Sequence, residues 1–282
     1  HQVKITLLGT GSPIPDPNRA GPCTLVQAGD QNVMVDCGRG ALMRLMAAGV
    51  VPAAVNTLLI THMHSDHITD MNDLVTSRWV MSPVNVPLVV YGPVGTRAMV
   101  DAMLTMLALD QQYRHDHHED LRANGPLTVD VHEVVPGDSF AIGDVRVSVH
   151  ETDHRPVAPS IGFRVQHAGK VAALAGDTIP CAGLDEMCRD ADAYVQTVIR
   201  DDMVRFVAGV VPTGGRFLDI LDYHSTVEQA AQTAARNNVK NLVLTHYVPP
   251  MAPGQEDDWR SRATAHFSGP VILGPDLTSL EV

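Results

Sequence analysis

Short apolar runs stopped by glycine, proline or polar turns alternate along the chain with longer stretches whose apolar positions recur at helical spacing. The runs predict strands over Val3 to Leu8, Cys23 to Ala28, Val33 to Asp36, Leu58 to Ile60, Pro87 to Tyr91 and Thr128 to Val135. They resume at Val145 to His150, Ile161 to Val165, Val171 to Ala175, Tyr194 to Ile199 and Leu242 to Leu244, and close with Val271 to Leu273 and Thr278 to Val282. Gly9-Thr10-Gly11-Ser12 ends the first run, and Pro13, Pro15 and Pro17 hold a loop that excludes helix. Helical spacing predicts Gly38 to Ala48, with Ala41, Leu42, Leu45 and Met46 on one face, then Ile68 to Val80 and Thr96 to Leu109. Leu184 to Arg189, the alanine-rich Val227 to Arg236 and Trp259 to Phe267 follow. Strands then helix, twice over, with no linker or short repeat, predict an α/β fold in one domain, 1–282, of two αβ halves, about 1–150 and 151–282. Two sheets facing each other between outer helices satisfy that order, a four-layer αββα sandwich.

With 282 residues and 45% hydrophobic content, the chain can bury a sizeable core. Its net charge of −12, from 32 acidic and 20 basic residues, gives no general attraction to phosphate backbones. Any nucleic-acid contact is therefore local, resting on arginines such as Arg155 and Arg164. Cys23, Cys37, Cys181 and Cys188 form no C-x-x-C pair and are too scattered for a disulfide framework, which fits a reducing cytoplasm. No charged-then-apolar leader precedes Val3, and no apolar run approaches the roughly 20 residues that span a bilayer. His1 stands where an initiator methionine is expected, as after processing. From Gln111 to Gly125 the chain turns polar, and Tyr113, Arg114, His115, Asp116, His117 and His118 read as a solvated helix end rather than a pocket cap.

Candidate chemistry centres on Thr61-His62-Met63-His64-Ser65-Asp66-His67, which follows the apolar run Thr57-Leu58-Leu59-Ile60. Three histidines and an aspartate within six positions, where a buried strand gives way to a loop, point to a metal site rather than a polar loop rich in histidine. Imidazole and carboxylate are the ligands of Zn²⁺ and similar divalent ions, and alternate residues of an extended segment face the same way. His62 and His64 thus reach one ion, and Asp66 and His67, past the turn, a second. His154, Asp177 and His246 each follow a predicted strand, so all four segments can meet at one edge of a layered fold. The count gives His62, His64 and His154 to one ion, Asp66, His67 and His246 to the other, and Asp177 between them. A bridging carboxylate holds two dications about 3.5–4 Å apart.

These residues resemble those of the metallo-β-lactamase fold hydrolases, and within them the ribonuclease Z and arylsulfatase-like branch in its short actinobacterial form. The resemblance spans Leu7-Leu8-Gly9-Thr10-Gly11-Ser12-Pro13, Val35-Asp36-Cys37-Gly38, the histidine-rich motif, His154 with Pro159 and Gly162-Phe163-Arg164, and Ala175-Gly176-Asp177-Thr178. His224-Ser225-Thr226 and Leu244-Thr245-His246 complete it. The HxHxDH element is shared with glyoxalase and lactonase relatives, and His224-Ser225-Thr226 before a helix narrows the branch. The resemblance implies that His224 stabilises charge at the scissile group, whereas Ser225 or Thr226 alone could serve as a plain helix cap. In redox di-iron relatives the second ligand of the motif is glutamate, where this chain has His64.

It further implies hydrolysis by a hydroxide bridging two Zn²⁺ ions, with Mn²⁺ or Fe²⁺ as other candidates, because two dications lower the pKa of water from ~15.7 toward ~7. Asp66 would orient that hydroxide and take its proton. The implied substrate is a phosphodiester, including the 3′ side of tRNA precursors, and the runner-up is an ester, lactone or aryl sulfate. Family resemblance also implies a homodimer. Two departures bear on substrate. Ribonuclease Z proteins carry a glycine-proline-rich clamp for tRNA between the third histidine and the bridging aspartate, and the chain between His154 and Asp177 is too short for one. They also carry a His-Glu pair on the next strand, whose glutamate supports the HST histidine, where this chain reads Val195-Gln196-Thr197-Val198.

Overall fold

The computed structural model describes residues 3–282, and His1 lies outside the described residues. Strands β1 (Val3–Gly9), β2 (Cys23–Ala28) and β3 (Gln31–Val35) precede helix α1 (Ala41–Ala47). Next come β4 (Thr57–Leu59), α2 (Met71–Met81), β5 (Leu88–Gly92), α3 (Thr96–Met106), α4 (Ala108–His117), α5 (Glu119–Ala123) and β6 (Val129–Glu133). The middle of the chain forms β7 (Ser139–Ile142), β8 (Val145–Glu151), β9 (Ile161–His167), β10 (Lys170–Leu174), α6 (Ala182–Cys188) and β11 (Ala193–Ile199). It ends with α7 (Asp201–Ala208), α8 (Gly214–Asp219), β12 (Ser225–Thr226), α9 (Val227–Arg236), β13 (Asn241–Val248), α10 (Glu256–Thr264), β14 (Val271–Ile272) and β15 (Ser279–Glu281).

Two mixed sheets follow from this order. One runs β15-β1-β2-β3-β4-β5-β6 and the other β14-β13-β11-β10-β9-β8-β7, with β12 paired to β11. In each, antiparallel pairing gives way to parallel pairing part-way across, at β3–β4 and at β10–β11. Val3, Ile5, Val26 and Val33 of the first sheet pack against Val147, Phe163, Val165 and Leu174 of the second in one buried cluster. Leu42, Leu45, Leu74, Val75 and Trp79 bury the outer face of the first sheet, and Ala230, Ala234, Trp259 and Ala263 that of the second. Helix, sheet, sheet, helix is the αββα sandwich expected from the sequence.

Local differences have local causes. The first helix starts at Ala41 rather than Gly38, because Gly40 just before it holds a left-handed backbone, φ 79°, that a right-handed helix cannot include. Met46, placed by periodicity on the buried face, is 50% exposed. The helix expected over Thr96 to Leu109 breaks at Leu107, and the polar stretch after it forms α4, which buries none of its residues, and α5. The last helix begins a turn before Trp259, where Glu256, Asp257 and Asp258 sit at its positive end. Ala168 and Gly169 join β9 to β10 with φ of 48° and 81°, a two-residue turn that leaves no room for a clamp. All four cysteines are free, and among the described residues no helix is long and apolar enough to cross a membrane.

Helix α9 carries a complete capping box: Thr226 Oγ1 accepts from the Gln229 amide, and Gln229 Oε1 accepts from the Thr226 amide. Thr226→Ala is expected to lower the free energy of unfolding by about 1 kcal/mol, read as a shift of the urea midpoint at constant slope.

Candidate metal centre

Strands deliver every candidate ligand, past their ends or, for His246, from within. β4 leads into His62, His64, Asp66 and His67; β8 leads to His154; β10 leads to Asp177; His246 lies within β13. Two of the backbones there are unusual. His246 has φ of 51° where the β11–β13 ladder slips between Thr197 and Ile199, and Asp36, at the end of β3, has φ of 58°. Left-handed backbone at non-glycine residues costs free energy and collects at functional sites. Gly176 also has positive φ, 65°, and a Cβ there would lie 2.8 Å from Thr61, so only glycine lets the Asp177 turn approach the histidine loop.

The ligand atoms converge in two groups, His62, His64, His154 with Asp177, and Asp66, His67 with His246. His62 Nε2 and His154 Nε2 lie 3.1 and 3.3 Å from His64 Nδ1, and both lie 3.7 Å from Asp177 Oδ2. On the other side His246 Nε2 is 3.2 Å from Asp66 Oδ2, and His67 Nε2 is 3.6 Å from the same oxygen. Asp177 Oδ2 is 3.3 Å from His67 Nε2 and 3.5 Å from His246 Nε2, so one oxygen faces both groups. Ligands at 2.0–2.1 Å in a tetrahedron stand about 3.3–3.4 Å from one another, close to this spacing. Asp66 Oδ2, His67 Nε2, Asp177 Oδ1 and His246 Nε2 are buried with no hydrogen-bond partner among the described residues. Buried polar atoms without partners are costly, and a divalent cation is the partner this donor set fits.

A second layer fixes which nitrogen faces inward. Asp36 Oδ2 accepts from His67 Nδ1 at 2.7 Å and from Thr61 Oγ1 at 2.8 Å, and Asp36 Oδ1 accepts from the Thr61 amide. Since Thr61 Oγ1 donates to the carboxylate, it accepts from His62 Nδ1 at 3.0 Å. His154 Nδ1 donates to the Tyr223 carbonyl at 2.7 Å. Each bond leaves the Nε2 lone pair aimed at the centre.

Charge is divided unevenly. Burial pushes the His62 and His64 imidazoles below their usual range, and His154 falls to about 4, so this group is neutral and ready to ligate. Burial acts the same way on His67 and His246, but Asp177 beside both, with Asp36 at His67 and Asp66 at His246, lifts them above it. Burial opposes ionisation of Asp177, yet His246, His67 and His224 hold its carboxyl well below the carboxylate range.

His224 belongs to neither ligand group. Its Nδ1 donates to the Ile220 carbonyl at 2.9 Å, and its Nε2 is 3.5 Å from Asp177 Oδ2. Gln196, in place of the supporting glutamate, turns elsewhere: its Nε2 donates to the Gly176 carbonyl and its Oε1 accepts from Tyr194. The centre opens into a cavity of about 460 Å³, with Ser12, Pro13 and Ile14 on one side and Thr213, Arg216, Phe217, Ile220 and Tyr223 on the other. Arg155 and Arg164, expected to meet phosphate, line no part of it. Arg155 pairs with Asp153, and Arg164 donates to the Met187 and Arg189 carbonyls at the end of α6. Nor does the His115 to His118 segment line it; His115 packs its ring against Trp79.

The family model described as "Beta-lactamase superfamily domain" matches residues 31–247. A ribonuclease Z from Mycobacterium avium (strain 104) is 54% identical over 99% of this chain and 98% of its own. The chain belongs to the ribonuclease Z family of the metallo-β-lactamase superfamily. Among solved structures, a metallo-β-lactamase fold protein from Bacillus subtilis, YhfI, aligns with a TM-score of 0.74 at 20% identity, covering 99% of both chains. The short form of human tRNase Z aligns with a TM-score of 0.71 at 24% identity, again over 99% of both. As a member of this family the chain is a metal-dependent hydrolase of the phosphodiesterase kind, with a divalent metal site built from the His/Asp cluster.

The sequence marked Asp36 only as part of a motif, although its carboxylate supports one histidine in each ligand group. Asp36→Asn should weaken divalent-ion affinity by about 10–100-fold, the usual effect of losing such a support. Competition with a chromogenic chelator measures it, and unchanged affinity would separate Asp36 from the metal centre.

Proposed function

We propose that the chain is a binuclear zinc phosphodiesterase of ribonuclease Z type, with His62, His64 and His154 on one ion, Asp66, His67 and His246 on the other, and Asp177 shared. The observation that carries this reading is Asp177 Oδ2, which lies within 3.3–3.7 Å of histidines from both groups. Two dications held there, Zn²⁺ or in its place Mn²⁺ or Fe²⁺, would polarise a phosphoryl oxygen and acidify a water at neutral pH. Asp66, buried and held ionised beside His246 and His67, orients the attacking water and takes its proton. His224 stabilises the charge that develops at the phosphoryl group. Because its Nδ1 already donates to the Ile220 carbonyl, its Nε2 carries a proton only in the imidazolium form, which adds a positive charge to the hydrogen bond.

RNA is the substrate class that the ribonuclease Z relatives suggest, with the 3′ side of tRNA precursors as the specific case. A homodimer, implied by the family resemblance, and a cytoplasmic location, suggested by four unpaired cysteines, are part of the same reading. A second reading has one observation in its favour: Ile14, Phe217, Ile220 and Val248 give the cavity apolar walls suited to a small ester, lactone or aryl sulfate. Turnover of bis-p-nitrophenyl phosphate, p-nitrophenyl sulfate, p-nitrophenyl acetate and a lactone, with zinc supplied, separates the two. The diester is expected to be hydrolysed fastest.

His62→Ala should lose metal and activity together. His224→Ala should retain two zinc ions per chain and lower kcat by roughly 10²–10³, the loss that follows removal of one preformed donor to a developing oxyanion. Bound zinc measured alongside diesterase kinetics decides it: full activity makes Ser225-Thr226 a plain cap, and lost zinc makes His224 a ligand. Binding of a tRNA precursor should be weak and fall steeply with salt, since the chain is acidic and has no clamp. Tight binding at physiological salt in a filter assay would contradict that expectation.

A further inference from the structure

The segment between β11 and His224 forms a flap of its own. Helices α7 and α8 pack so closely that a Cβ at Gly214 would lie 1.9 Å from the Ala208 carbonyl oxygen. The flap is anchored by a small cluster in which Phe217, Ile220 and Leu221 pack on Ile199, Val204 and Val248, apart from the clusters under the sheets. One face of this flap forms a wall of the metal cavity, and it carries Arg216. Among the described residues lining that cavity, Arg216 is the only arginine or lysine. Other arginines near the site are tied down: Arg155 to Asp153, Arg164 to α6 carbonyls, Arg19 to Thr10 and backbone oxygens, and Arg200 to Asp202 and Asp258. The Arg216 guanidinium has no hydrogen bond or ion pair with a described residue, and the side chain is exposed.

An unpaired guanidinium beside a cavity, on a chain of net charge −12, is a local exception to the repulsion of anions. The metal ligands account for the cavity's carboxylates, Asp66 and Asp177, so neither is left to neutralise it. Guanidinium binds phosphate through two parallel N–H donors. We infer that Arg216 is a specificity-determining residue that binds a second phosphate, next to the one at the metal centre, and so favours substrates that carry two phosphates in series over isolated diesters. This rests on the phosphodiesterase reading. It names what that site selects: a phosphate chain rather than a single phosphoryl group.

The test compares binding of thymidine 3′,5′-bisphosphate and thymidine 5′-monophosphate to the zinc-loaded full chain by calorimetry. The wild-type protein should bind the bisphosphate about tenfold more tightly, the size of one charge-assisted hydrogen-bonded contact. Arg216→Gln should close that gap, Arg216→Lys should keep part of it, and Arg205→Gln, which removes an exposed charge from α7 outside the cavity, should leave it. A gap that survives in Arg216→Gln, shrinks equally in Arg205→Gln, or is missing from the wild type overturns the inference. Turnover of bis-p-nitrophenyl phosphate by the same wild-type preparation reports separately on the phosphodiesterase reading, because the binding comparison needs no turnover.

Discussion

Asp36 is a buried carboxylate that accepts from His67, from the Thr61 hydroxyl and from the Thr61 amide. Through Thr61 it also sets the tautomer of His62. One ligand from each group is therefore oriented by the same anion, so the two halves of the metal centre cannot rotate independently. The cost of burying that charge is offset by three donors, and Asp36 itself sits at φ of 58°. The loop is pinned from its other side as well. Gly38 lets it pass at backbone contact distance, and the Cys37 amide donates to the His67 carbonyl.

The sheets explain why distant residues meet here. Parallel pairing across β3-β4-β5 and β10-β11-β13 puts the carboxyl ends of those strands on one edge, and β8, antiparallel to β9 as β9 is to β10, ends on the same edge. Packing the sheets face to face through Val3, Ile5, Phe163 and Val165 brings the two edges together. Histidines from the first sheet then face Asp177 and His246 from the second. The metal centre is a product of the sandwich interface rather than of either sheet alone.

What the sequence made legible depended on range. Ligands at alternate positions after an apolar run announce themselves locally, and the αββα order follows from the succession of strands and helices. Interactions between residues far apart left no such mark. Asp36 meets its partners 25 and 31 positions away, and its neighbours in sequence are apolar or small. His224 is supported by the carbonyl of Ile220, and a backbone acceptor has no side-chain signature. Strand β7 was hidden because Ser139 to Ile142 is a short edge strand with an exposed, mixed face. Helices α7 and α8 were hidden because Phe206 and Leu218 point outward and blur the periodicity of a buried stripe.

That hidden flap joins selection to chemistry. The candidate metal ligands stand on or just after strands of the central cores, whereas Phe217, Ile220 and Arg216 stand on a segment held by the small cluster around Val204 and Val248, by Met203 on the core of the second sheet, and by the ion pairs of Asp202 with Arg200 and Arg262. Elements with few buried apolar contacts occupy the low end of local stability. Yet Ile220, part of that cluster, also provides the acceptor for His224 Nδ1, and Tyr223 provides the acceptor for His154 Nδ1. These two bonds tie the flap to His224 and to the candidate ligand His154. In the proposed reading, a substrate that filled the apolar wall and met Arg216 would seat the flap, and by the same contacts His224 and His154. Binding energy from the non-reacting part of the substrate would in this way be converted into the geometry of the reacting part.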